Sequence, residues 1–167
     1  MMTIAELLQE LEQEAATTRR VLERVPEDRL DWRPHEKSMA MGQLALHLAQ
    51  LPGAIAELAL VPEFDVNTAV PRPMPANVAE IVETHDRSVA RAKAALGKLD
   101  DAALGLPWRM VSGEREIMSI PRSALLRTIM LNHSYHHRGQ LTVYLRETGA
   151  QLPSVYGPSA DERPFGL

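Results

Sequence analysis

Cysteine is absent from the chain, which removes disulfides, thiolate metal ligands and a cysteine nucleophile together. Any thiol chemistry must use a thiol brought in from outside. A basic excess is absent too: 18 Lys and Arg stand against 22 Asp and Glu, a formal net charge of −4 with a pI near 5.9. The cations are scattered along the chain, so a nucleic-acid partner is not expected. No apolar run approaches the roughly 20 residues a bilayer span needs, and no membrane partner is expected. Thr3-Ile4-Ala5-Glu6 lacks the basic start and apolar core of a secretory signal, so the expected location is cytoplasmic. Internal repeats and low-complexity tracts are missing as well.

What remains is the composition of a soluble globular protein: 45% hydrophobic, 24% charged, with a mean hydropathy of −0.19. The 167 residues fit one domain over the whole chain, which buries about two-thirds of its unfolded surface without a staple.

Hydrophobic periodicity predicts four helices. Thr3 with Glu6 forms a capping-box pattern, and Ile4, Leu8, Leu11, Ala15, Leu22 and Val25 recur at helical spacing before Pro26 stops the run. The segment Pro26–Pro34 is too polar and proline-broken for a strand. Ser38 then offers an N-cap to a second helix from about Met39 that carries Met41, Leu44, His47, Leu48, Leu51, Ile55 and Leu58 on one side. Pro52 and Gly53 predict a kink, since the apolar period resumes at Ile55. Prolines at 62, 71, 73 and 75 mark a long irregular connection.

Asn77 and Glu80 open a third helix with the seam Val78, Val82, His85, Val89, Ala92 and Leu96, closed by Gly97. Trp108–Val111 and Glu116–Ile120 around Ser112-Gly113 read as a small β-hairpin. Pro121 then begins a fourth helix that carries Leu126, Ile129, Met130, His133, His137, Leu141 and Tyr144 and ends at Gly149. The sum is an all-α fold, a four-helix bundle with a hairpin before the last helix.

The densest chemistry is Asn132-His133-Ser134-Tyr135-His136-His137-Arg138-Gly139-Gln140, which holds three of the six histidines. His133 and His137 lie one turn apart, so both imidazoles leave one helix face and can reach a single cation. His47 also falls on an inward face and is the best third donor. An imidazole buried there without a partner loses about 1–3 kcal/mol, so three of them call for a shared one. A divalent ion, zinc or nickel, suits such a donor set and keeps an open position for water or substrate.

The remaining side chains read as bland. His136 is turned by about 100° toward a flank, His85 reads as a hydrogen-bonded inner histidine, or one that lines the pocket, in preference to a ligand, and His35 as exposed. Arg138 and Gln140 read as surface or end-capping groups, and Tyr144 as either a cavity hydroxyl or a core residue.

Leu30-Asp31-Trp32-Arg33-Pro34, Leu44-Ala45-Leu46-His47-Leu48, His133 to Gln140 and Tyr144-Leu145-Arg146-Glu147-Thr148-Gly149 together resemble the DinB/YfiT-like superfamily of metal-dependent bundle proteins. The resemblance implies an up-down-down-up four-helix bundle and a metal held by His47, His133 and His137. It implies a homodimer as well, and S-transfer or isomerisation with a low-molecular-weight thiol such as bacillithiol, mycothiol or glutathione.

Two classes of function fit. One is a metal-dependent S-transferase-like enzyme acting on a small electrophile; the other is a non-catalytic bundle that binds metal or a small molecule. A hydrolase ranks behind the transferase, because the histidine motif contains no acidic residue to serve as general base.

Overall fold

The computed structural model describes residues 2–70 and 73–164. Helix α1 (Ile4–Leu22) opens on the expected capping box: the Thr3 hydroxyl accepts from the Glu6 amide at 3.2 Å, and the Glu6 carboxylate accepts from the Thr3 amide at 2.8 Å. Its buried line is Leu7, Leu11, Thr18, Val21 and Leu22, rotated from the predicted seam because Leu7 and Val21 turn inward while Leu8 and Ala15 are only half-buried.

Helix α2 (Met41–Leu58) starts after Ala40, and Ser38 does not cap it. The free amides of its first turn are taken by backbone: Met41 donates to the Trp32 carbonyl at 2.8 Å and Gly42 to the Leu30 carbonyl at 2.9 Å. The Leu30–Pro34 loop therefore closes the amino end of α2 with main-chain oxygens, which no side-chain capping rule anticipates.

At the other end the buried Trp108 indole donates to the Leu58 carbonyl at 3.0 Å. Pro52 does not end α2. The Ser88 hydroxyl of helix α3 (Val78–Leu96) accepts from the Gly53 amide at 2.8 Å and donates to the Gln50 carbonyl at 3.0 Å. A proline inside a helix costs about 3 kcal/mol, and two buried hydrogen bonds of about 1 kcal/mol each offset much of it. Gly53 is required there, since a Cβ would lie 2.8 Å from the Ser88 carbonyl oxygen.

Helix α3 begins as predicted at Asn77, whose side chain accepts from the Glu80 amide at 2.8 Å. Glu80 reaches back to the Ala76 amide at 2.6 Å, one residue earlier than a strict capping box.

The long connection before α3 is less irregular than expected. It contributes strand β1 (Glu63–Asp65), which pairs in parallel with β2 (Pro107–Ser112), and β2 pairs antiparallel with β3 (Arg115–Pro121). The hairpin is thus two strands of a three-stranded sheet ordered β1-β2-β3. Gly113, at φ +59, makes its turn.

The fourth helix, α4, follows directly in three continuous segments: Arg122–Ala124, Leu125–Asn132 and His133–Glu147. The middle segment is π-helical. The wider turn changes which residues face inward, so Leu125 and Leu131 are buried beside Leu126 and Met130. Gly149, at φ +79, ends the run.

Four helices and a small sheet enclose two apolar clusters, one around Leu7, Trp108, Leu126 and Met130, the other around Leu22, Met41, Leu48 and Leu141. Along α4 the first cluster ends at Leu131 and the second begins at Leu141. His133 and His137 occupy the stretch between. Among the described residues no helix is long and apolar enough to cross a membrane.

Candidate metal centre

Three side chains from two helices meet in that gap. His47 comes from α2 and His133 and His137 from consecutive turns of α4, and one nitrogen of each lies within 4.8 Å of the other two. The ring centroids are 5.3 Å (47–133), 4.8 Å (47–137) and 4.5 Å (133–137) apart. His137 is buried and the other two are half-buried, so the cluster is reachable from outside without being a surface patch.

The contacts fit one arrangement of protons. His137 Nδ1 is 2.7 Å from Gln140 Oε1, an atom that can only accept, so the proton sits on Nδ1. In the neutral tautomer of His137 that this contact favours, Nε2 accepts and His133 Nε2, 2.7 Å away, donates. Two lone-pair positions therefore share one proton at the point where a cation would stand. The donor set fits a divalent ion: imidazole nitrogens bound at 2.0–2.1 Å in tetrahedral geometry are about 3.3 Å apart, within reach of small side-chain torsions from the spacing observed. The cluster contains no carboxylate among the described residues.

The predicted trio converges; among the described residues no other histidine joins the cluster, although the His136 ring lies 5.0 Å from that of His137. His136 is exposed beside His137, and His35 is exposed in its loop. His85 is 2% exposed and lines a small cavity between α1, α2, α3 and α4. It is not the hydrogen-bonded inner histidine that was expected, because its Nδ1 lies 3.6 Å from the nearest Asp86 oxygen. Burial pushes its pKa below the ordinary histidine value, with Asp86 opposing. Tyr144 serves the apolar cluster, packing edge-on against Trp32 with centroids 5.4 Å apart.

Two residues read as bland are not. Gln140 fixes the His137 ring, and its position three residues after a histidine on a helix was the available signal. Arg138 is 2% exposed. It pairs with Glu14 at 2.7 Å, donates to Thr18 Oγ1 at 3.2 Å, and lies over the Tyr135 and Tyr156 rings at 5.3 and 4.9 Å. It ties α4 to α1.

A cavity of about 730 Å³ opens at His47 and runs along α2 past Ile55 and Leu58 toward β1. Among the described residues that line it, Glu57 forms an ionic pair with Arg91 of α3. Sequence periodicity could not reveal it, because its outer wall is the connection that carries β1.

A family model described as the DinB family matches residues 1–163. A DinB-like protein from Bacillus cereus is 24% identical, with a TM-score of 0.73 over 92% of this chain and 98% of its own. Bacillus subtilis YfiT, described as a probable metal-dependent hydrolase with an unusual four-helix bundle topology, is 18% identical, with a TM-score of 0.65 over 89% of each chain. A mycothiol-dependent maleylpyruvate isomerase is 15% identical, with a TM-score of 0.54 over 89% of this chain and 62% of its own. These likenesses establish the fold.

Proposed function

The chain belongs to the DinB family, and from that premise we propose that it is a metal-dependent enzyme that joins an external low-molecular-weight thiol to a small electrophile. The carrying observation is the convergence of His47, His133 and His137, the first of which also lines an apolar cavity. We propose these three as ligands of a zinc or nickel ion. When bound, such an ion supplies Lewis acidity that draws the pKa of a thiol toward neutrality.

The chain's own residues do the rest. Three neutral imidazoles leave the ion's charge undiminished, and Gln140 holds the His137 proton on Nδ1 so that Nε2 presents its lone pair. The cavity beside His47 holds the electrophile against its apolar wall. In the transfer, sulfur forms a bond to the electrophilic carbon, the leaving group departs with the bonding pair, and the thiol proton passes to solvent. Among the described residues the histidine cluster offers no carboxylate to deprotonate water, and this supports our preference for thiol transfer over hydrolysis.

The test is elemental analysis of protein made without a histidine tag, joined to a thiol-consumption assay. One zinc or nickel per chain is expected, lost in His133→Ala together with thiol-dependent turnover. Unchanged metal content in His133→Ala sinks the site. Metal loss with ligand binding intact and no turnover at any stage identifies a binding module, and turnover without thiol identifies a hydrolase, the reading that the description of YfiT favours. A homodimer is the assembly we expect, to be read by light scattering.

A further inference from the structure

We propose that the cavity beside His47 selects an uncharged, elongated, apolar electrophile that ends in a neutral hydrogen-bond acceptor, and that Arg91 holds this far end. The inference names the substrate class of the proposed metal site and rests on that reading.

The walls are hydrocarbon: Ile55, Leu58, Val61, Phe64 and Val70 line the space, with Val61 at 42% and Val70 at 86% exposure. Apolar side chains left this open gain by covering with an apolar body. The cavity is elongated. His47 and Glu57 are ten residues apart on one helix, about 15 Å along its axis, and both line the space.

The far end is charged but internally neutralised. Arg91 Nε donates to a Glu57 oxygen at 2.8 Å and Nη2 donates to the other, so the pair is bidentate. Arg91 Nη1 makes no hydrogen bond to any described residue, leaving two N–H donors on a wall of the cavity. A carbonyl satisfies those donors at no charge cost. A carboxylate there meets Arg91 and Glu57 together, and a cation meets them in reverse. Among the described residues that end carries no net charge, and its half-exposed pair is already matched, so an ion of either sign finds no unpaired counter-charge to offset the hydration it gives up.

Three probes of equal chain length, octan-2-one, octanoate and octylammonium, separate these cases by ligand-observed NMR titration of the whole protein, with and without zinc. The ketone should bind at least about fivefold more tightly than either ion. Glu57→Gln should move the preference toward octanoate and Arg91→Gln toward octylammonium, and Ala54→Trp, from the cavity wall, should weaken all three. Octanoate binding as tightly as the ketone to the unmodified protein overturns the proposal, as does Ala54→Trp leaving every affinity unchanged. Circular dichroism of each variant confirms that it is folded. Failure of the metal reading shows separately, as missing zinc in protein that still ranks the probes in this order.

Discussion

Replacing Gln140 with Leu should weaken the affinity for zinc about tenfold without unfolding the protein. The His137 Nδ1 to Gln140 Oε1 hydrogen bond, 2.7 Å long, sets which nitrogen carries the proton and aims the ring. Losing such a partner of a metal-bound histidine typically costs ten- to a hundredfold in affinity. Gln140 is exposed, so water replaces part of the lost acceptor, and the effect falls at the low end, about 1.4 kcal/mol. Gln140→Glu keeps the acceptor and adds charge, which makes the ring a stronger donor, so zinc should bind more tightly than in the unmodified protein. Competition against a chromophoric chelator reads both constants. Affinities within twofold of each other for all three proteins refute the role assigned to Gln140.

Gly53→Ala should destabilise the protein by about 1–3 kcal/mol in urea denaturation, even though alanine is the better helix former, because the new Cβ would sit 2.8 Å from the Ser88 carbonyl oxygen; a gain in stability would show that α2 and α3 can move apart freely. Arg138→Met should cost about 3 kcal/mol, since it strands Glu14 in a site that is only 19% exposed, and the double change with Glu14→Gln should recover much of the loss; a single-variant cost under about 1 kcal/mol would contradict this. His85 binds a proton less readily folded than unfolded because burial disfavours its charged form. Stability should therefore fall as pH drops below about 6.5, by up to about 1.4 kcal/mol per pH unit, until the lowered folded pKa is reached. His85→Gln should flatten that part of the melting-temperature profile, and an unchanged slope would rule the group out.

The sequence made the four helices, the hairpin and the histidine trio legible, for a shared reason. Apolar period and H-x-x-x-H spacing are properties of a single helix, and His47 lay on an inward face by the same count. What stayed hidden depends on contacts between elements. Strand β1 exists because Glu63–Asp65 finds β2, and its own residues carry no alternation long enough to notice. The amino end of α2 is satisfied by carbonyls of Trp32 and Leu30 and by the Gln43 side chain, which accepts from the Ala40 amide at 3.2 Å, so the N-cap position itself carries no polar side chain and Ser38 is the nearest capping residue type. Arg138 looked like a surface group because its partners, Glu14 and Tyr156, are remote in sequence. The Ser88 hydroxyl that serves the backbone around Pro52 comes from another helix, so no local pattern announced it.

The π-helical stretch Leu125–Asn132 ends one residue before His133. A helix wound that way carries more residues per revolution than its neighbours, as if an amino acid had been inserted into an older, regular coil. Each residue accounts for about 100° of rotation. Excising one residue from that stretch would let the coil tighten and swing both imidazoles away from α2, while the hydrophobic packing beyond Leu141 would have to rotate with them or break. The widened turn thus acts as a phase adjuster between two cores that could not both be served by one uninterrupted α-helix.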